Sequence, residues 1–156
     1  MKEIFPIIPP TGAGVWVVQA ITFLILIAIT FLLLAVAVSS RSARVEVGPT
    51  GLHIRSPLYG RTIAWSSILA DDARVVNLKI EKQFAPSWRT NGIGLPGYAA
   101  GWFRLKNGQK ALAFITDYAR VVLISTPDYA ILVSVADAEA LVTAVKRWAG
   151  STRQGS

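Results

Sequence analysis

A charge-free apolar block near the start of the chain constrains its fold more than any other feature. From Gly14 to Val38 the sequence runs for 25 residues without a charged side chain. An α-helix rises about 1.5 Å per residue, so roughly 20 apolar residues cross the hydrocarbon core of a bilayer. The sequence therefore predicts one transmembrane helix over residues 14–38.

Two other structures share this composition. A cleaved signal peptide has a positive N-terminal region and an apolar run of about 7–15 residues. Here Glu3 offsets Lys2 and the run is longer, although the small residues Ala35 and Ala37 resemble a cleavage site. A buried helix of a soluble protein would need a large core around it, because this block is apolar on every face. Both alternatives fit less well than a membrane span.

The distribution of charge predicts the orientation of the span. Of the 16 Lys and Arg residues 15 follow the block, with 8 of the 9 Asp and Glu residues, so this part carries 15 minus 8, or +7. The flank richer in Lys and Arg is the one expected in the cytoplasm. Residues 1–13 are therefore predicted to lie outside, with Arg41 and Arg44 close to the anionic lipids of the inner leaflet.

The chemistry of the side chains favours binding over catalysis. The chain has no cysteine and a single histidine, His53, and its acidic residues form no group with metal-ligand spacing. We therefore expect no enzyme activity, no metal and no cofactor. The basic residues are scattered and form no arm or helical stripe, so nucleic acid is not expected as a partner.

Beyond residue 43 the sequence consists of short runs with alternating apolar and polar residues, which is typical of β-strands. Gly48–Gly51, Asn107-Gly108 and Pro127-Asp128 have the composition of tight turns between such strands. About eight strands are predicted, at residues 44–47, 52–55, 61–65, 73–80, 102–105, 111–116, 120–126 and 129–133.

The period changes near the C-terminus. From Asp137 to Trp148 apolar residues recur at steps of three and four, which indicates an amphipathic helix. Ser134 and Asp137 resemble a capping pair at its start, and Gly150 is expected to end it before a flexible tail, 150–156. The predicted fold class is α+β, mostly β: an antiparallel barrel or sandwich capped by the C-terminal helix.

Three motifs of this region resemble the bacterial pleckstrin-homology-like (PH-like) family, in members with one N-terminal membrane helix. They are G-L-x-I-R at Gly51–Arg55, R-T-N-G-I-G-L-P-G-Y at Arg89–Tyr98 and T-D-x-x-R-V-V at Thr116–Val122. The resemblance implies a cytoplasmic PH-like domain over residues 44–149, joined by a linker, 39–43, to a span in the bacterial inner membrane. It implies no reaction, because fold alone does not define function.

The central motif also contains a G-x-G-x-x-G pattern, at Gly92, Gly94 and Gly97. A dinucleotide site with this pattern needs a helix that opens within it, and the sequence Pro96-Gly97 opposes such a helix. We interpret the motif as a tight structural loop whose glycines permit positive φ or close chain approach.

A sharper hypothesis is that this loop binds an anion. Its backbone N–H groups, with Arg89 and either Lys82 or Arg104, would hold a phosphate or carboxylate of a lipid headgroup or a partner. The candidate binding residues are Arg89, Asn91, Gly92, Gly94, Tyr98 and Arg104.

Two functions are consistent with these features. The first is a non-catalytic, membrane-anchored binding or scaffold module that docks on a larger bacterial membrane protein complex as an accessory or assembly subunit. The alternative is a domain that senses anionic lipid headgroups. PH domains that bind phosphoinositides generally carry basic residues around their first hairpin loop, whereas Gly48–Gly51 is uncharged, which favours a protein partner. The sequence leaves the oligomeric state open, a homo-oligomer included.

Overall fold

The computed structural model describes residues 12–154, which divide after Val38 into two compact units. The first unit contains most of helix α1, Ala13–Ser42, and its stretch Gly14–Leu34 is long and apolar enough to cross a membrane. No part of that stretch is buried. Residues 1–11, which belong to the predicted external tail, lie outside the described residues.

The polar side chains within α1 bond to the helix itself. The Thr22 hydroxyl donates to the Val18 carbonyl at 2.9 Å, and the Thr30 hydroxyl donates to the Leu26 carbonyl at 2.8 Å. Such back-bonding satisfies a hydroxyl where no water is present. The helix also extends to Ser42, so residues 39–42 of the predicted linker are helical; no glycine or proline interrupts the chain there.

The second unit contains two β-sheets and a terminal helix. The smaller sheet is antiparallel and has the order β1 (Arg44–Gly48), β2 (Gly51–Arg55) and β3 (Arg61–Ile63). The larger sheet has the order β4-β8-β9-β7-β6-β5, and only its β7–β9 pair is parallel. Its strands are β4 (Leu69–Val76), β5 (Pro86–Leu95), β6 (Tyr98–Leu105), β7 (Lys110–Ile115), β8 (Val121–Ser125) and β9 (Ala130–Val133).

The predicted central loop is a β-hairpin, which is the main correction to the sequence interpretation. The motif at residues 89–98 forms most of β5, the Pro96-Gly97 turn and the first residue of β6, and Gly97 has a φ of +78°. The described chain therefore has nine strands rather than about eight. Strand β5 was missed because it lies at the edge of the sheet and is exposed on both faces, so it has no apolar alternation. No helix opens within the glycine pattern.

Several strand boundaries also differ from the prediction, among them the start of β4, at Leu69 rather than Ala73, and the start of β6, at Tyr98 rather than Trp102. Strand β3 ends at Ile63, and Trp65–Ser67 form a 3₁₀ turn. The strand predicted at 73–80 is β4, which ends at Val76 because Asn77 begins a turn: its side chain accepts the Lys79 N–H at 3.0 Å.

Helix α2, Ala138–Gln154, begins and ends differently from the prediction. Asp137 caps it, accepting the Ala140 N–H at 3.0 Å. Ser134 instead accepts the N–H groups of Thr116 and Asp117, each at 3.2 Å. The helix continues past Gly150, because a glycine costs a helix only about 1 kcal/mol and Ala149 before it is packed in the core. Residues 155–156 lie outside the described part.

The two faces of the larger sheet carry separate apolar clusters, as the alternation along β7 illustrates. Leu112 and Phe114 belong to a cluster shared with the smaller sheet and α2, whereas Ala113 and Ile115 belong to a cluster completed by Leu78 and Phe84 from the β4–β5 connection. Within the first cluster Trp65 stacks on Trp148, with ring centroids 6.4 Å apart. The architecture is thus a mostly β sandwich covered by one helix.

Candidate binding site

The six candidate residues from the glycine motif all lie on the β5–β6 hairpin at one edge of the larger sheet. Strand β5 pairs with β6 on one side, and no strand of the described chain pairs with its other side. The N–H groups of β5 that face β6 belong to the antiparallel ladder. Only those on the outer edge are therefore free to bind another molecule.

The hairpin separates Arg89 from Arg104. Arg89 pairs in register with Phe103 and lines a depression with Phe103 and Tyr118, on the side of the second apolar cluster, where burial raises the pKa of the Tyr118 hydroxyl. Arg104 lines a different cleft with Asn91 and Trp102. The two arginines therefore belong to different depressions, and Lys82 lies in the β4–β5 connection, lining neither of them.

The remaining candidates of the hairpin have packing contacts. Gly92 lies opposite Gly101 in the β5–β6 ladder, and Gly94 lies against the Phe103 ring. Tyr98 is half-buried against the first apolar cluster. The Asn91 side chain accepts the Tyr59 hydroxyl at 3.2 Å, which ties the β2–β3 loop to β5.

The two arginines predicted to lie near the membrane are close to the end of α1 and the start of β1. Arg44 is the first residue of β1, is exposed, and pairs in register with Arg55. The Arg55 side chain in turn pairs with Glu46 at 3.1 Å. Arg41 lies in the last turn of α1, and its side chain lies outside the described part of the structure.

A group of cations and aromatic rings that was not predicted surrounds Trp102. Arg61 and Lys110 both contact the Trp102 ring: Arg61 Cζ is 5.2 Å and Lys110 Nζ is 4.5 Å from its centroid. Tyr129 completes the group, with its ring 5.0 Å from Trp102 in an edge-on arrangement and 5.8 Å from Arg61 Cζ. We call these four residues the Trp102 cluster. Cations over aromatic rings are stabilised by the ring quadrupole, by about 0.5–1 kcal/mol at exposed sites.

Each member of the Trp102 cluster is positioned by a different element. Trp102 lies on β6 and Lys110 begins β7, while Arg61 begins β3 and Tyr129 immediately precedes β9. Their sequence separation explains why no local motif indicates the cluster.

Metal-binding groups are absent from residues 12–154: no three His, Cys, Asp or Glu side chains there lie close enough to hold an ion. His53 bonds to two hydroxyls, with Nδ1 at 2.9 Å from Thr62 Oγ1 and Nε2 at 3.0 Å from Thr50 Oγ1. His53 thus links the β1–β2 turn to β3 within the smaller sheet.

Two packed sheets, a C-terminal helix over one face, and an exposed edge with aromatic and basic residues define a small β-sandwich domain preceded by an apolar helix. The chain belongs to the bacterial PH domain family: the family model described as "Bacterial PH domain" matches residues 43–149. This match confirms the PH-like resemblance. Comparisons with curated proteins and with solved structures gave no match.

Proposed function

We propose that this protein is a non-catalytic binding module anchored in the bacterial inner membrane by α1, with its PH-like domain in the cytoplasm. Its partner is a protein of a larger membrane complex, on which it acts as an accessory or assembly subunit. The proposal places residues 1–13 outside and residues 44–149 inside, in agreement with the charge distribution.

The exposure of α1 supports the anchor. Large apolar side chains from Val15 to Leu34 are exposed around the helix, and none of Gly14–Leu34 is buried. Water is a poor solvent for such a surface, whereas a bilayer accommodates it without cost to the backbone, whose polar groups bond within the helix.

The single observation that carries the protein partner is the free outer edge of β5. From Asn91 to Leu95 the strand pairs regularly with β6, after two irregularities nearer its start, and this segment has no charged residue. Natural edge strands are usually blocked by charges, proline or a covering element. An unblocked edge is instead suited to binding an extended segment of another protein through main-chain hydrogen bonds.

Trp88 strengthens this assignment. It lies on β5 and is 72% exposed, and exposed tryptophans are enriched among the residues that contribute most to protein–protein binding. Strand β5 contains Arg89 and no acidic residue. A partner segment without excess positive charge therefore fits this edge best.

A second candidate function is recognition of anionic lipid headgroups. The observation that favours it is the group of exposed cations Arg61, Arg104 and Lys110 on one side of the larger sheet. Each basic residue near an anionic membrane contributes about 1 kcal/mol of attraction, which salt screens.

Co-purification of the full chain in mild detergent tests the proposal. We expect a protein to remain bound in stoichiometric amount between about 0.15 M and about 0.5 M salt, and Trp88→Ala to reduce its recovery. Ile80→Ala is the matched control, because Ile80 is also exposed but lies outside β5.

The outcomes separate the two functions. Loss of the partner in Trp88→Ala with retention in Ile80→Ala supports the edge-strand proposal. Absence of any stoichiometric partner, together with binding to anionic vesicles that falls steeply with salt, would instead support headgroup recognition.

A further inference from the structure

The Trp102 cluster brings two cations together without an anion. Arg61 Cζ and Lys110 Nζ are at most 9.7 Å apart, the sum of their distances of 5.2 and 4.5 Å to one ring centroid. Like charges this close repel each other, because their separation does not exceed the Debye length of about 10 Å at 0.1 M salt. Arg104 adds a third cation, as it pairs in register with Lys110 and lines the same cleft.

No carboxylate of the described chain compensates these charges. Arg55 pairs with Glu46 and Arg74 pairs with Glu81, and neither of these ion pairs includes a member of the Trp102 cluster. The guanidinium of Arg61 donates one long hydrogen bond, 3.5 Å to the Tyr129 hydroxyl. Arg104 donates to the Gly108 carbonyl at 3.0 Å. Most of their charged donors therefore remain available.

The cluster is nevertheless held in place. The Tyr59 ring lies over Gly101, and its hydroxyl bonds to Asn91, so the loop that leads into Arg61 is fixed against β5 and β6. Lys110 is held by the β6–β7 ladder through its register with Arg104. A cleft of about 370 Å³ opens beside Trp102, lined by Thr90, Asn91, Arg104 and Lys110 among others.

We propose that the Trp102 cluster binds an oxyanion. Lys110, which lines this cleft, and Arg61, which contacts the same ring but lines a different depression with His53 and Thr62, together hold a phosphate or carboxylate group beside the Trp102 ring. The planar guanidinium of Arg61 offers paired donors that match two oxygens, and the Lys110 ammonium contributes a point charge. Cation–π contacts at exposed sites are weak, so both side chains can turn from the ring to the ligand at small cost. Arg104 and the hydroxyl of Thr90 complete the polar lining.

This inference rests on the second candidate function, because it takes the exposed cations that favour headgroup recognition and assigns them a defined site and ligand chemistry. The site lies on the face of β6 and β7 rather than on the outer edge of β5, and it is distant in sequence from the uncharged first hairpin turn, Gly48–Gly51. An oxyanion could reach it as a free ion or as part of a lipid headgroup, so the test has to distinguish these sources.

The test uses the full chain in nanodiscs of neutral lipid and isothermal titration calorimetry with inorganic phosphate at constant ionic strength. Arg61→Gln/Lys110→Gln is the test variant, and Lys79→Gln/Lys82→Gln, which removes the same charge from exposed positions of the β4–β5 connection, is the matched control. We expect phosphate to bind at least about tenfold more weakly to the test variant, because hydrogen bonds to charged groups are worth about 1.5–3 kcal/mol. The control is expected to bind as the wild type does.

A parallel measurement identifies the source. The nanodisc-embedded protein is floated with vesicles that contain a phosphate-bearing anionic lipid. If headgroups occupy the site, the test variant should bind the vesicles more weakly than the wild type. If only free oxyanions do, the wild type and both variants should bind them alike. Near-ultraviolet circular dichroism of each variant reports whether it is folded. The proposal fails if a folded wild type binds neither phosphate nor the vesicles. It also fails if the test variant binds phosphate as strongly as the matched control does.

Discussion

Gly101 faces Gly92 across the β5–β6 hairpin so closely that neither has room for a side chain. A Cβ atom on Gly101 would lie 2.6 Å from Gly92 Cα and 2.5 Å from the Asn91 carbonyl oxygen, and Gly101 has a φ of +117°. The glycine-rich motif thus permits close approach of two strands, and the same approach leaves space for the Tyr59 ring, 3.2 Å from that Cβ position.

Gly101→Ala should therefore destabilise the domain. Overpacking of this kind costs about 1–3 kcal/mol, and the positive φ adds strain for any residue with a Cβ. Thermal unfolding of the full chain in detergent, followed by near-ultraviolet circular dichroism, measures the effect. An unchanged midpoint would show that the two strands separate easily and that the close approach is not required.

Gly150→Ala should instead stabilise the domain, and it is the natural comparison for Gly101→Ala. Gly150 is a glycine within α2, and a Cβ there would meet no atom within 4 Å. Alanine is favoured over glycine in a helix by about 1 kcal/mol, so we expect a higher free energy of unfolding in urea. A decrease would mean that helix α2 ends before Gly150 in solution, as the sequence alone predicts.

The elements that the sequence predicted are those whose composition or periodicity can be recognised along the chain itself. The charge-free block gave α1, the alternation of apolar residues gave most strands of both sheets, and the steps of three and four gave α2. Strand β5 was missed because both of its faces are exposed and two glycines interrupt it. Its pairing becomes evident only when β6 is placed beside it.

For the candidate site, the sequence indicated the region but not the arrangement of its residues. The structure places Asn91 and Arg104 beside Trp102. The sequence could not show that Arg89 lines another depression, because the irregular register between Arg89 and Asn91 changes the face on which side chains lie. Arg61 and Lys110 were missed because they begin strands of different sheets, β3 and β7, and only the packing of the two sheets brings both to the Trp102 ring.

Trp65→Ala should cost about 3–5 kcal/mol of stability, as expected for a buried aromatic residue. Trp65 is only 4% exposed, stacks on Trp148, and donates its indole N–H to the Gly48 carbonyl at 2.9 Å. Trp65→Phe should lose less, because it keeps a ring in the core. Trp88→Ala, at a highly exposed position, should change stability by no more than about 0.5 kcal/mol. Equal effects of Trp65→Ala and Trp88→Ala on urea unfolding would contradict the packing described.

The Arg74–Glu81 pair should make stability depend on acid pH. Arg74 donates to both carboxylate oxygens of Glu81, at 3.1 and 2.8 Å, and these hydrogen bonds hold the pKa of Glu81 below its usual value. The Glu81 carboxylate thus binds a proton less tightly in the folded state than in the unfolded state. The stabilisation is present above the unfolded pKa and is lost as the pH falls through the lowered, folded pKa.

We expect Glu81→Gln to lower the free energy of unfolding at neutral and alkaline pH, where the charged pair is present, and to reduce its fall below the ordinary pKa of glutamate. Urea unfolding across a pH series measures it. Asp128→Asn, in the exposed turn before β9, serves as the control. An acid limb that is identical in wild type and Glu81→Gln would assign the acid dependence to other carboxylates.

Leu24→Arg tests whether α1 spans a bilayer. Leu24 lies near the middle of Gly14–Leu34, where a charged side chain costs roughly 2.5–3.5 kcal/mol for membrane insertion. Trp16→Arg is the control, because Trp16 lies near the end of the same stretch and an arginine there can extend to the interface. We expect a smaller fraction of Leu24→Arg than of Trp16→Arg in the membrane pellet after alkaline carbonate extraction. Equal retention of both variants would argue that the helix lies at the surface or binds another protein, because only burial in hydrocarbon makes the cost of a charge depend on depth.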